Sequence, residues 1–324
     1  MTFIASVVAK DGVVIIADSL VTSVRPILTQ RDLAKYYTEK VKLTGTETFP
    51  FNVDEINDLF STQRHHTENY ENKLIQYDKY TAITTAGSAL INGKRISDIV
   101  EKIKSGHKKG GLDRTLLENK VDEICTHLTI EVKSHFDTHS EIDSTHLIIT
   151  HFDHKISKTQ IFKIKVNEAS KKQLSDNGFE FVTKTLVPEY ETVISDGQNR
   201  IVEGVLWGAI NSLPYVTLYI ARRIRDDFNI SPDKMTKEYM TKLMNDDGIR
   251  RLIMKDANLP RMKELSLQQA VDLAYLCLKI EMDFQNYTED IPVVGGIIRL
   301  ATINKDGFSF LCGNSIVSPI NGNL

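Results

Sequence analysis

The chain is short of several things, and each shortage removes a class of protein. Only three cysteines occur in 324 residues, Cys125, Cys277 and Cys312, far apart and odd in number. Neither a secreted disulfide framework nor a zinc spacing is present, and a reducing cytoplasm is the expected compartment. Eight prolines and seventeen glycines are too few for a fibrous repeat or a disordered linker. Excess charge of one sign is missing too. Forty Lys and Arg against forty-three Asp and Glu leave a net charge of −3 with His neutral, so nucleic acid and anionic membrane are not expected partners. No apolar run approaches bilayer length. Lys10, Asp11 and Asp18 interrupt the opening apolar residues, and no basic segment precedes them, unlike a signal peptide. The mature chain is therefore expected to begin at Met1 or, once that residue is removed, at Thr2.

What is present reads as strands and helices in blocks. Thr2 to Ala9 and Val13 to Ala17 are β-branched and apolar around Lys10-Asp11-Gly12, an opening hairpin with a turn at Asp11-Gly12. Glu39 to Leu43 reads as a short strand, and residues 44–78 as a polar insertion. A strand from Tyr80 to Thr85 breaks at Ala86-Gly87-Ser88 and hands over to a helix with Ile96, Ile99, Val100 and Ile103 on one stripe. Leu117, Val121, Ile124, Leu128 and Val132 mark a second helix. A hairpin follows over His146 to Phe152 and Thr159 to Val166, then weak patterning from Asn167 to Glu191 and a brief sheet signal before Ser195-Asp196-Gly197. Residues 199–263 read as an expanded helical region. A helix with Leu267, Ala270, Leu273, Ala274 and Cys277 on a stripe precedes two closing strands, Gly296 to Ile303 and Phe308 to Cys312. This order predicts a single α+β domain over 1–324, two stacked antiparallel sheets with helices on each outer face.

Thr2 is the sharpest chemical feature. Removal of Met1 would place a hydroxyl and a free α-amine on one residue at the end of a rigid strand, a nucleophile that carries its own base. The amine has an ordinary pKa of about 7.7–8.0, and a nearby cation would lower it. In a strand setting alone, Thr is simply a good strand former. The combination is more specific. Lys10-Asp11-Gly12, Ala17-Asp18-Ser19 with Asp18 sixteen residues after Thr2, and Thr22 four beyond that resemble the start of proteasome β subunits and their bacterial relatives among the N-terminal nucleophile hydrolases.

That resemblance implies a four-layer αββα sandwich with insertions and a threonine-dependent peptide or amide hydrolase acting on peptide or protein substrates. It implies a homo-oligomer, a ring by analogy, and leaves open an ATPase unfoldase. The pattern then wants a lysine before an aliphatic residue, and Lys40-Val41 supplies it, with Lys42 as the alternative. The lysine would depress the amine and Asp18 would hold it. Gly87, at a strand end, is the expected backbone donor to the oxyanion. Two departures stand out. Asp196 occupies the place of a serine that would bond the threonine amine, and an acid there would raise the amine's pKa. Ile291 stands where an acid is expected, with Asp290 one residue early. An ideal turn at Asp11-Gly12 also pairs Thr2 with Val21 and turns Asp18 away, so a bulge near Ala17-Asp18-Ser19 or a longer turn is required.

A catalytically inert scaffold and a small-molecule amidase of the same fold are the competing readings. Metal and cofactor are not expected. His146 and His151 are an odd step apart on one strand, and His65 and His66 are adjacent, so neither pair converges. Gly295-Gly296 lacks the strand-turn-helix context of a dinucleotide loop. Arg222, Arg223 and Arg225, like His107-Lys108-Lys109, read as solvated charge.

Overall fold

Alternating β-branched residues at the start of the chain form an antiparallel pair, β1 (Phe3–Ala9) and β2 (Gly12–Ala17), joined through Lys10 and Asp11. The computed structural model describes residues 2–25, 30–48, 55, 64–68, 71–107, 111–176, 178–189, 191–207, 213–228, 236, 238–239, 242, 262, 264–288 and 293–311. After the first hairpin come β3 (Val21–Arg25), helix α1 (Gln30–Thr44) and β4 (Arg64–Glu68), with β3 and β4 paired. They are followed by β5 (Leu74–Gln76), β6 (Thr81–Gly87), the small ribbon β7 (Leu90–Ile91) and β8 (Lys94–Arg95), and helices α2 (Ile96–Gly106), α3 (Gly111–Arg114) and α4 (Leu117–His135). The chain continues through β9 (Glu141–Ile142), the hairpin β10 (Thr145–Asp153) and β11 (Lys158–Val166), β12 (Ala169–Ser170), β13 (Val182–Leu186) and β14 (Val193–Gly197). Helices α5 (Arg200–Trp207), α6 (Leu213–Asp227) and α7 (Leu267–Thr288) precede the closing pair β15 (Arg299–Asn304) and β16 (Gly307–Phe310).

The fold is α+β. One five-stranded antiparallel sheet has the order β14, β1, β2, β15, β16, and a second has β13, β11, β10, β6, β5. Period two sorts their side chains. Phe3, Ala5, Val7, Val14 and Ile16 pack on Val202 of α5 and on Ala270, Val271, Ala274 and Leu278 of α7. Their neighbours Ile4, Val13, Ile15 and Ala17 instead meet Leu74, Ala82, Ile148 and Ile161 of the second sheet. The far face of that sheet packs Ile83, Leu147, Ile149 and Ile164 on Ile99, Val100 and Ile103 of α2 and on Val121, Ile124 and Leu128 of α4. Strands with both faces buried carry nearly continuous apolar runs, as β1 and β2 do. Each such side chain contributes about 1.5–3 kcal/mol by leaving water.

Several sequence expectations need correction. Glu39 to Leu43 is not a strand but the last turns of α1. Four-residue spacing there joins Tyr36 to Lys40 and Thr44 Oγ1 to the Lys40 carbonyl, contacts that only a helix makes. The span 44–78 is not wholly insertion, because β5 within it is an edge strand of the second sheet. A further edge strand, β13, lies in the weakly patterned stretch before Glu191. The helix after Gly87 starts only at Ile96, since β7 and β8 turn through Asn92 and Gly93, both left-handed. Among the described residues no helix is long and apolar enough to cross a membrane.

Candidate active site

The register of the first hairpin determines where Asp18 goes. Ala9 pairs with Gly12 and Ile4 with Ala17, so the loop is Lys10-Asp11 rather than Asp11-Gly12, and Asp18 falls opposite Phe3 rather than two positions out of step. No bulge is needed. Gly12 is instead the first residue of β2, where a Cβ would stand 2.6 Å from the Ile303 carbonyl of β15. Just past the end of β2, Asp18 N–H donates to the Phe3 carbonyl at 3.2 Å, while Phe3 N–H donates to Asp18 Oδ1 at 3.1 Å. Asp18 Oδ2 accepts Leu20 N–H at 3.2 Å and Gly295 N–H at 3.1 Å.

The cation on Asp18 is Lys73. Its Nζ lies 3.1 Å from Asp18 Oδ1, with the two side chains 6% and 0% exposed, and it also donates to the Leu20 carbonyl. Burial pushes the Asp18 carboxyl up and the Lys73 ammonium down, and their mutual attraction opposes both shifts. Four donors on one carboxylate favour its ionised form. Lys40, the expected partner, lies on α1, where it bonds Glu55 Oε1 at 2.6 Å. Lys42 is exposed in the last turn of the same helix. The correction has a simple origin. Lys73-Leu74-Ile75 carries the same lysine-aliphatic signal at the head of β5, but inside the stretch read as insertion.

Thr2 is 3% exposed and lines a cavity of about 500 Å³ together with Lys73, Gly87, Ser88, Glu71 and Asp143. Its carbonyl accepts Gln198 N–H at 2.6 Å. Gly197, with φ +83°, lies so close that a Cβ would stand 2.0 Å from the Thr2 oxygen, so only glycine is tolerated beside the chain's first strand. Gly87 closes β6 at φ +89°, and a Cβ there would stand 2.4 Å from the Ser144 carbonyl. The structure thus brings Thr2, Asp18 and Gly87 of the expected set to one place, and Lys73 in place of Lys40.

Asp196 is nearby but turned to other partners. Cα pairing sets it opposite Ile4, the pleat face that looks at the second sheet. There Oδ1 meets His146 Nδ1 at 3.0 Å, Oδ2 lies 3.7 Å from Lys163 Nζ, and Oδ1 also accepts Gly197 N–H at 2.7 Å. Burial alone would raise this carboxyl, but the His146 bond, the charges of Lys163 and His146 and the Gly197 N–H together hold it below its ordinary value. The Lys163 charge and the His146 and Gly197 contacts thus offset part of its negative charge locally. Among the described residues no hydrogen bond joins it to Thr2. Asp290 and Ile291 lie outside the described residues. His151 bonds Thr81 Oγ1 at 2.9 Å, well apart from His146 in its chemistry.

Helix α7 holds the loops around Thr2 from behind. Gln285 Oε1 accepts Val293 N–H at 2.6 Å and Val294 N–H at 2.8 Å, fixing the turn that presents Gly295 N–H to Asp18. One helical turn earlier, buried Glu281 Oε1 accepts Val202 N–H at 2.8 Å in the first turn of α5, three residues after the Gln198 loop ends at Asn199. Burial pushes the Glu281 carboxyl up, two backbone donors oppose it, and Oε2 has no partner among the described residues. Gln285, Glu281 and Lys73 are not among the residues the sequence singles out, whereas Gly197 stands in the Ser195-Asp196-Gly197 motif without a role assigned. An i,i+4 polar pair on an otherwise apolar stripe was the available signal for the first two.

Compared with protein-family models and with curated proteins, the sequence matches none.

Proposed function

We propose that the chain is a threonine-dependent amide hydrolase of the N-terminal nucleophile type, related to proteasome β subunits, its two sheets and outer helices forming an αββα sandwich. The single observation that carries this reading is the Asp18–Lys73 pair, buried beside Thr2 and anchored by N–H groups of three separate segments. Removal of Met1 makes Thr2 N-terminal. Thr2 Oγ then adds to a substrate carbonyl and its proton passes to the α-amine, whose pKa the Lys73 charge lowers. Gly87 N–H stabilises the oxyanion. The amide C–N bond breaks, the leaving amine takes the proton, and an ester on Thr2 remains. Water splits that ester, returning the hydroxyl and releasing the acid.

Intact-mass measurement with a β-lactone probe tests this. The expected result is loss of Met1 and one acyl adduct, mapped to Thr2 and absent in Thr2→Ala. Full retention of Met1, or a processed protein that takes no adduct, would favour the inert scaffold instead.

A further inference from the structure

Resting on that reading, we infer that His146 is a positioning residue that acts through Asp196: it keeps the carboxylate occupied, so that the Thr2 amine stays neutral enough to serve as the base. Period two sets the geometry. Thr2 stands two residues before Ile4 and so shares its face of β1, and Gln198 N–H on the Thr2 carbonyl carries the ladder between β1 and β14 out to that end. Asp196 is the cross-strand partner of Ile4, which makes it the diagonal neighbour of Thr2, at about 7–8 Å between Cα atoms. An unoccupied carboxylate at that place would hold the amine, once Met1 is removed, as an ammonium and raise its pKa.

The second sheet supplies the opposing contacts. His146 of β10 is two residues before Ile148, and Lys163 of β11 is the cross-strand partner of Ile148, so both look at Asp196 from the face that meets the first sheet. His146 Nδ1 stands 3.0 Å from Asp196 Oδ1, and Lys163 Nζ stands 3.7 Å from Oδ2 while donating to the Ser195 carbonyl at 2.8 Å. Burial pushes the Asp196 carboxyl up, but His146, Lys163 and Gly197 N–H hold it below its ordinary value. Oδ2 accepts no hydrogen bond among the described residues, which makes it the atom that a loosened carboxylate would turn to the amine. Lys165 lies opposite His146 on β11 and is exposed, and Ala86, the partner of His146 on β6, carries no charge. Strand β1 runs between β14 and β2, so Asp18 with Lys73 stands on the other side of Thr2, and Glu71 and Asp143 line the cavity. Lys73 lowers the amine's pKa and Asp196 raises it, and the balance turns on how firmly His146 and Lys163 hold Asp196.

The test is the pH profile of Thr2 labelling by a β-lactone, read by intact mass on processed protein, whose midpoint reports the base. His146→Ala is expected to move that midpoint up by about half a unit to one unit, with labelling recovered at higher pH. Asp196→Asn moves it down, and adding His146→Ala to Asp196→Asn gives no further shift, because the carboxylate through which His146 acts is gone. The midpoint is taken within each protein, so a variant of lower overall reactivity still answers. A merely structural His146 would lower labelling equally at every pH. If the midpoint of His146→Ala equals that of the wild type, or the upward shift persists in Asp196→Asn/His146→Ala, the inference fails while the hydrolase reading stands. If processed wild type takes no label at any pH, both fail.

Discussion

Among the described residues two buried lysine–aspartate pairs occur, and they are built differently. Lys120 of α4 meets Asp78 of the β5–β6 turn at 2.6 Å, with both side chains at most 2% exposed. Asp78 Oδ1 accepts Tyr80 N–H at 2.8 Å from the same turn. That pair ties one helix to one turn, and neither residue lines the Thr2 cavity. Lys73 and Asp18 instead gather N–H groups from β1, from Leu20 and from Gly295, distant in sequence, and Lys73 reaches the cavity wall. A buried ion pair by itself says little about function, because either kind costs desolvation that its Coulomb attraction only offsets. Convergence of backbone donors beside a cavity-lining threonine is the informative difference.

The largest effect expected on this comparison comes from breaking the structural pair. Lys120→Ala leaves a buried carboxylate unpaired and should cost about 3–5 kcal/mol of unfolding free energy, measured by denaturant titration, while β-lactone labelling of the folded fraction continues. Gly197→Ala should cost about 2 kcal/mol or more, because the added Cβ meets the Thr2 carbonyl at a left-handed φ. Unlike Lys120→Ala, it should also slow Thr2 labelling at least tenfold. Gln285→Leu leaves Val293 and Val294 N–H groups unpaired, at about 1–3 kcal/mol each. Labelling should slow with it, since Gly295 loses its hold on Asp18.

The smallest effect is on pH dependence. The folded Glu281 pKa is raised above 4.5, so the native state holds a proton that the unfolded chain releases. Its contribution to stability is present at acid pH and is lost as pH rises from about the ordinary glutamate value through the folded one. Stability measured from pH 4 to 8 should lose that downward component in Glu281→Gln.

Much of the scaffold was legible because a strand buried on both faces reads as a continuous β-branched apolar run. The hairpins of β1 with β2 and β10 with β11 followed from such runs, and the stripes of α2, α4 and α7 from the helical period. Edge strands β5 and β13 were not, since a three-residue strand and the partly exposed Val182–Leu186 carry little apolar pattern. The site was legible where it is local. Thr2 and Asp18 belong to one hairpin, and Gly87 ends a clear strand. Lys73 was lost because a long polar stretch separates it from that hairpin, and short-range spacing favoured Lys40 on what proved to be a helix. The contacts of Asp196 with His146 and Lys163 depend on stacking of two sheets, which no local pattern encodes.

The most direct measurement compares the β-lactone labelling rate of Thr2 in processed wild type, Lys40→Ala and Lys73→Ala. The pairing of Lys73 with Asp18 predicts a wild-type rate for Lys40→Ala and a loss of about a hundredfold or more for Lys73→Ala. Unchanged labelling in Lys73→Ala, or a loss in Lys40→Ala instead, would contradict it.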